Sequence, residues 1–206
     1  MSDSILIQDP ENVPKEMYVE FLMDINSEVD RMTDIINDLL TLVRMNREEV
    51  HLNPMEINLT DMISDIVRRL EPIAKSKNIN LNYNKLKAVK AEIEETKFSL
   101  AVSNLIENAI KYNNDGGNVE VTVDADNQNA FVTIADDGVG IAEEELGKIF
   151  DRFYRVDKNR DRESGGTGLG LSIARSAVLM HNGTIKVSSK ENEGTTFVII
   201  IPLKQE

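Results

Sequence analysis

Asn104, Asn108 and Lys111 fall at i, i+4 and i+7, so a helix through them presents two amides and an amine on one face, with Tyr112 at its end. An amide oxygen ligates a hard cation such as Mg2+, and an ammonium group meets phosphate oxygens as a point charge. Taken alone, the pattern is equally an ordinary solvated face, with Glu107 and Lys111 as an i,i+4 pair worth a few tenths of a kcal/mol. Two glycine-rich runs downstream change its meaning.

The first run, Asp136-Asp-Gly138-Val-Gly140, follows a β-patterned segment directly. A carboxylate at the strand's end can accept a hydrogen bond from an exocyclic amine, and the two glycines let another group approach the backbone closely. The second, Gly165-Gly166-Thr167-Gly168-Leu169-Gly170, opens a helix. Its backbone N–H groups and the helix dipole make an anion site suited to phosphates. Either run by itself is also read as a tight turn.

These groups need elements to carry them. From Tyr18 to Val43 one stripe alternates steps of four and three through Leu22, Ile25, Val29, Met32, Ile36 and Leu39, which is a heptad seam on a helix of roughly residues 15–49. No second seam occurs, so the seam's partner is another copy of the chain or a segment absent from it; the alternative is a helix folded back onto the rest of this chain. After Pro54 the pattern becomes that of a compact α/β domain. Short strands are expected at 55–58 and around Ile79–Tyr83, and an amphipathic helix from Leu59 to Ala74 despite Pro72. A helix over 95–112 carries the amide face. A hairpin of Val119–Val123 and Phe131–Ala135, a short helix near 143–150, a helix near 168–180, and strands near 184–188 and 196–202 complete the domain. This order predicts helices stacked on one face of a mixed or antiparallel sheet.

Composition excludes several chemistries. With no cysteine there is no disulfide scaffold, thiol nucleophile or Cys-based zinc site, and His51 and His181 are too few for a zinc cluster. A net charge of −13 argues against nucleic acid and anionic lipid as partners. No apolar run approaches the ~20 residues of a spanning helix, and residues 1–14 contain no signal pattern, which points to a cytoplasmic chain.

In sequence order the motifs resemble those of bacterial sensor histidine kinases. Asn104-Leu-Ile-Glu-Asn108-Ala-Ile-Lys111-Tyr112 is similar to the family's N box, Asp136-Asp-Gly138-Val-Gly140 to its first glycine box, and Phe150-Asp-Arg-Phe153-Tyr-Arg155 to its F box. Gly166-Thr-Gly168-Leu-Gly170 resembles the second glycine box and Gly194-Thr-Thr196-Phe197 the last. Upstream, residues 28–40 resemble the second helix of the dimerisation and phosphoacceptor hairpin. The resemblance implies an α+β two-layer sandwich of the gyrase/histidine-kinase ATPase (Bergerat) type, three helices on a mixed sheet, preceded by the long heptad helix. It implies ATP and Mg2+ as cofactors, with Asn108 as metal ligand, Asp136 on the adenine amine, and Lys111 and Tyr112 against the nucleotide. Gly138, Gly140, Gly166, Thr167, Gly168, Leu169, Gly170 and Thr196 would line the nucleotide site. Residues 155–167 would form a lid whose candidate phosphate contacts are Arg155, Lys158, Arg160 and Arg162, Arg155 foremost, with Phe150 and Phe153 packed at its base. Related hydrolytic ATPases carry a glutamate where this chain has Asn104, and an amide cannot activate water as a general base. Glu107 points about 100° away from Asn108 around the helix and does not replace it. Preserved ATP, rather than hydrolysis, is therefore expected.

One part of the family pattern is missing. The acceptor motif, a His followed by an acidic residue on the first hairpin helix, does not occur before residue 50. His51 falls in what reads as a linker and His181 at a helix end, and neither has the acidic neighbour that orients an acceptor imidazole. The expected division is a tag or hairpin-loop remnant at 1–14, the second hairpin helix at 15–50 and the catalytic domain at 51–206. The expected chain is shortened, lacks the first hairpin helix and cannot phosphorylate itself. Implied partners are the missing hairpin helix, a second protomer and a response regulator, and the full-length protein is expected to be membrane-anchored. A serine kinase or ATPase of the same superfamily and a nucleotide-dependent interaction module are the alternatives.

Overall fold

The computed structural model describes residues 14–45, 52–156 and 166–205. Helix α1 (Lys15–Met45) has Glu16 in its first turn and Arg44 in its last, each complementing the helix dipole. Strand β1 (Met55–Asn58) leads into α2 (Leu59–Ser76), whose start is set by Asn58: its side chain accepts from the backbone N–H of Thr60 at 3.1 Å and of Asp61 at 3.4 Å. Pro72 lies inside α2 on its exposed side, so the helix continues through it as the apolar spacing required.

Next come β2 (Asn80–Lys85), β3 (Lys90–Ile93), α3 (Glu95–Lys111), β4 (Asn118–Ala125) and β5 (Asn129–Asp136). The chain ends with α4 (Gly170–Met180), β6 (Thr184–Lys190) and β7 (Gly194–Pro202). The five-stranded sheet runs β2-β4-β5-β7-β6; β2 and β4 are parallel and the other pairs antiparallel. In the tight β4–β5 turn, Asp126 Oδ1 accepts from the backbone N–H of Gln128 and Asn129. β1 and β3 pair as a separate antiparallel ribbon, and β3 is a strand that the alternation alone did not reveal.

One face of the sheet is covered. Val119, Val121 and Val123 of β4, Ala130, Val132 and Ile134 of β5, and Phe197, Ile199 and Ile201 of β7 point inward against the buried faces of α2, α3 and α4. Burying each large branched or aromatic side chain is worth about 1.5–3 kcal/mol. An exposed pair such as Arg68–Asp65 contributes about 0–1 kcal/mol, so the apolar layer and not surface charge holds the scaffold.

One expectation is corrected, and of the two readings of the α1 seam the fold-back alternative is not the one found. The segment near 143–150 is a single 3-10 turn at Glu143–Glu145 followed by turns, and Gly147 weakens any continuation as a helix. The heptad seam of α1 does not fold back: Leu22, Val29, Ile36 and Leu39 are all exposed. A neighbouring stripe docks instead. Leu42 and Met45 are buried, Ile35 and Asp38 half-buried, and this last third of α1 lies against α4.

Candidate functional site

Helix α3 positions the amide face. Asn104 donates through Nδ2 to the Leu100 carbonyl at 2.9 Å, which fixes its rotamer, and a methyl group at Gly170 would sit 2.7 Å from its Oδ1. Asn104 therefore abuts the first residue of α4. Asn108 follows one turn later, half-buried. The Lys111 ammonium lies 4.9 Å from the Tyr112 ring centroid and 2.2 Å from where a side chain at Gly166 would begin, with the Tyr112 hydroxyl 3.4 Å from the same point. The amine of α3 thus meets the backbone of the second glycine run, 55 positions along the chain (Lys111 to Gly166).

That run forms the turn before α4. Gly168 has φ +72°, and a side chain there would also press on Phe153 and on the Arg155 stem at 3.0–3.2 Å, so glycine is required. The backbone N–H of Leu169 donates to Thr167 Oγ1 at 3.2 Å, while the Leu169 side chain is fully buried in the core. Leu169 contributes backbone to the turn and apolar surface beneath it.

The first glycine run is bound into the protein on both sides. Gly138 packs under the Tyr112 carbonyl, which accepts from Val139 at 3.1 Å, and Gly140 lies against the Lys190 carbonyl. The close approaches that the glycines permit are made by the protein's own backbone. Asp136, at the end of β5, accepts on Oδ1 from the backbone N–H of Gly138 at 3.0 Å and of Thr195 at 3.2 Å. Burial pushes its carboxyl up to about 6 despite those two donors, with Asp137 adding repulsion. Among the described residues Oδ2 has no donor, which leaves an acceptor atom for a ligand amine.

The last glycine run supports this carboxylate from behind. Gly194 has φ +111°, and a methyl there would sit 2.0 Å from the Asp136 carbonyl oxygen. In the β5–β7 register Asp136 faces Thr195, whereas Thr196 faces Ala135 and Ser188 on the opposite side of the sheet. The structure therefore does not bring Thr196 to the site. Thr195 is the residue that sequence reasoning missed, and counting back by twos from buried Phe197 would have found it.

Arg155 lies at the turn, its stem 3.2 Å from the Gly168 position. Phe150 packs edge-to-face on Phe197 at 6.4 Å and under Arg175. Phe153 does not pack as expected. It is 55% exposed at φ +63°, held by its N–H to the Gly168 carbonyl. Lys158, Arg160, Arg162, Gly165 and His51 lie outside the described residues.

Glu107 lies beside the amide face: desolvation raises its carboxyl, Arg69 opposes the rise and Asp38 adds to it. His181 is fully buried. Its Nδ1–H donates to the Ala177 carbonyl at 2.7 Å, its Nε2 accepts from the backbone N–H of Glu94 at 3.0 Å, and Phe98 packs on its ring. Burial lowers its pKa, so the neutral ring is a structural link with both nitrogens engaged.

Residues 93–205 match the family described as histidine kinase-, DNA gyrase B-, and HSP90-like ATPase. The chain is 36% identical to the sensor histidine kinase WalK of Bacillus subtilis over 195 residues, 93% of this chain and 32% of that protein, so it spans about a third of that relative's length. The catalytic domain of histidine kinase ThkA superposes with a TM-score of 0.65 at 27% identity, over 75% of this chain and 99% of that one. ThkA in complex with the response regulator protein TrrA gives a TM-score of 0.77 over 98% of this chain and 56% of that chain; at 23% identity that likeness concerns the fold alone.

Proposed function

Because the chain belongs to the family of histidine kinase-, DNA gyrase B- and HSP90-like ATPases, and its relatives are sensor histidine kinases, we propose that it binds Mg-ATP and presents the γ-phosphate to a histidine supplied from outside residues 15–206. One observation carries this reading. The Asn104–Lys111 face of α3 meets the Gly166–Gly170 turn, and Asp136 stands at the adjoining strand end. Among the described residues no three acidic or histidine side chains gather to hold a metal ion by themselves. A single amide oxygen from Asn108 suits Mg2+, a cation that keeps several waters and draws its remaining ligands from phosphates.

In this reading Asp136 holds the adenine amine on Oδ2, Tyr112 lies against the base or sugar, and Lys111 and Arg155 neutralise phosphate charge. The backbone N–H groups of the 166–170 turn and the α4 dipole receive phosphate oxygens. Bound Mg2+ would neutralise the charge that develops during phosphoryl transfer. The protein's own part is positioning and electrostatics, as this reaction requires. Asn104 cannot deprotonate water, and its Nδ2 is committed to Leu100, so ATP is held for an acceptor imidazole rather than hydrolysed.

The division proposed is a hairpin helix at 15–50 and a catalytic domain at 51–206, within a longer membrane-anchored sensor kinase whose partners are a second protomer, the complementary hairpin helix and a response regulator. Among the described residues no helix is long and apolar enough to cross a membrane. The test is to add a separate phosphoacceptor hairpin with labelled ATP. Acid-labile, alkali-stable phosphate on the hairpin is expected; a hydroxyl-type, acid-stable product would overturn the assignment in favour of a serine kinase.

A further inference from the structure

Helix α1 reaches into the second glycine turn. Thr167 Oγ1 donates to Asp38 Oδ2 at 2.7 Å, across 129 residues of chain, and the same hydroxyl oxygen accepts from the Leu169 N–H. Thr167 sits between Gly166, which faces the Lys111 ammonium, and Gly168, which faces Arg155. The carboxylate of Asp38 thus holds a hydroxyl in the middle of the turn that would otherwise be free to donate to an anion. It does not act alone. Burial raises the Asp38 carboxyl, its hydrogen bond from Thr167 opposes the rise, and Asp34, one helical turn away, adds to it; Asp38 in turn adds to the rise of the Glu107 carboxyl. Burial of Leu42 and Met45 one and two turns further fixes α1 in this place.

Resting on the nucleotide-binding reading above, we propose that Asp38 is a negative determinant of phosphate binding: an internal carboxylate that holds the Thr167 hydroxyl and repels the phosphates of a nucleotide. The physical reason is linkage. A negative charge and a phosphate cannot both take the Thr167 proton, and like charges at the rim of a partly dry site repel strongly. Docking of the last third of α1 and binding of a triphosphate therefore oppose each other by the same free energy in both directions. Opposition grows with phosphate number, because the repelled charge does. Adenosine, which carries none, escapes it. The α1 seam stays open on the neighbouring stripe, so whatever pairs with that seam and moves α1 also changes the nucleotide site.

The test compares the unmodified chain with Asp38→Asn, which keeps an oxygen to accept from Thr167 and loses only the charge. A second variant, Leu42→Ser, weakens docking of the whole last third of α1 without touching the turn. Affinities for adenosine, ADP and ATP are measured with Mg2+ by displacement of a fluorescent ATP analogue. Both variants are expected to bind ATP about five- to tenfold more tightly, ADP by a smaller factor and adenosine within about twofold of the unmodified chain. In the unmodified chain, saturating ATP is expected to speed amide exchange over residues 34–45. Equal affinities in the three proteins, or a uniform loss for all three ligands, would overturn the proposal, since Asp38 would then only shape the turn. Failure of the unmodified chain to bind any nucleotide would instead overturn the nucleotide-binding reading, and this inference with it.

Discussion

Thr195 donates its backbone N–H to Asp136 Oδ1 at 3.2 Å from 59 residues further along the chain. The central strand pair β5–β7 thereby delivers a buried carboxylate with one oxygen held by backbone and the other open. Since the donors are main-chain groups, side-chain substitution of Thr195 leaves them in place, whereas substitution of Asp136 itself acts on charge and on recognition.

Asp136→Asn separates those two effects. Its carboxyl, raised from 3.8 to about 6 in the folded protein, binds more protons folded than unfolded between those values. Its stabilising contribution is therefore complete below pH 4 and lost as pH rises through 6. At pH 7 the ligand-free Asp136→Asn protein is expected to be more stable by on the order of 2–3 kcal/mol, with no pH step near 6, in chemical denaturation. Adenosine affinity in the unmodified chain is expected to fall as pH drops below 6, and Asp136→Ala to lose about 1–3 kcal/mol of binding at pH 7.

Asn108→Ala removes the proposed metal ligand without touching the base-binding carboxylate. Titration of a fluorescent ATP analogue with and without Mg2+ is expected to show lower affinity with Mg2+ and little change without it. Unaltered metal dependence would remove Asn108 from the metal's coordination.

Gly194→Ala is expected to be among the more damaging single substitutions. At φ +111° with a carbonyl oxygen 2.0 Å from the added methyl, strand β7 must shift away from Asp136. A loss of about 2–4 kcal/mol in thermal or denaturant unfolding is expected, together with weakened nucleotide binding.

The exposed seam of α1 predicts self-association. Leu22 is 62% exposed, Val29 54% and Ile36 55%, a contiguous apolar stripe that finds cover in solution. Sedimentation of the chain is expected to show concentration-dependent oligomers that Leu22→Glu with Ile36→Glu abolishes.

The chain is expected to bind Mg-ATP and not to label itself with γ-phosphate. His181, buried with both nitrogens engaged, cannot approach a γ-phosphorus within the about 3–3.5 Å that in-line transfer needs. A hairpin supplied in trans is expected to restore transfer, except to Asn108→Ala; label mapping to His51 or His181 would reassign the acceptor.

Local periodicity made much of this molecule legible. The heptad spacing of α1, the i, i+4, i+7 face of α3 and the alternation of β4, β5 and β7 are properties of chain neighbours, so each element's type follows from spacing, and for the strands the buried side does as well. The glycine runs were equally plain, because a close backbone approach such as those at Gly140, Gly168 and Gly194 leaves no room for a side chain. Other features depended on pairings between distant segments. The alternation at 195–197 contained the difference between Thr195 and Thr196, but only the β5–β7 register gave it meaning by setting Thr195 beside Asp136. Which stripe of α1 docks was undecided by periodicity, since Ile35, Leu42 and Met45 repeat with the same spacing as the seam; packing against α4 chose them. The contact of Asp38 with Thr167 exists only because that packing rotates one carboxylate of α1 toward a turn 129 residues away.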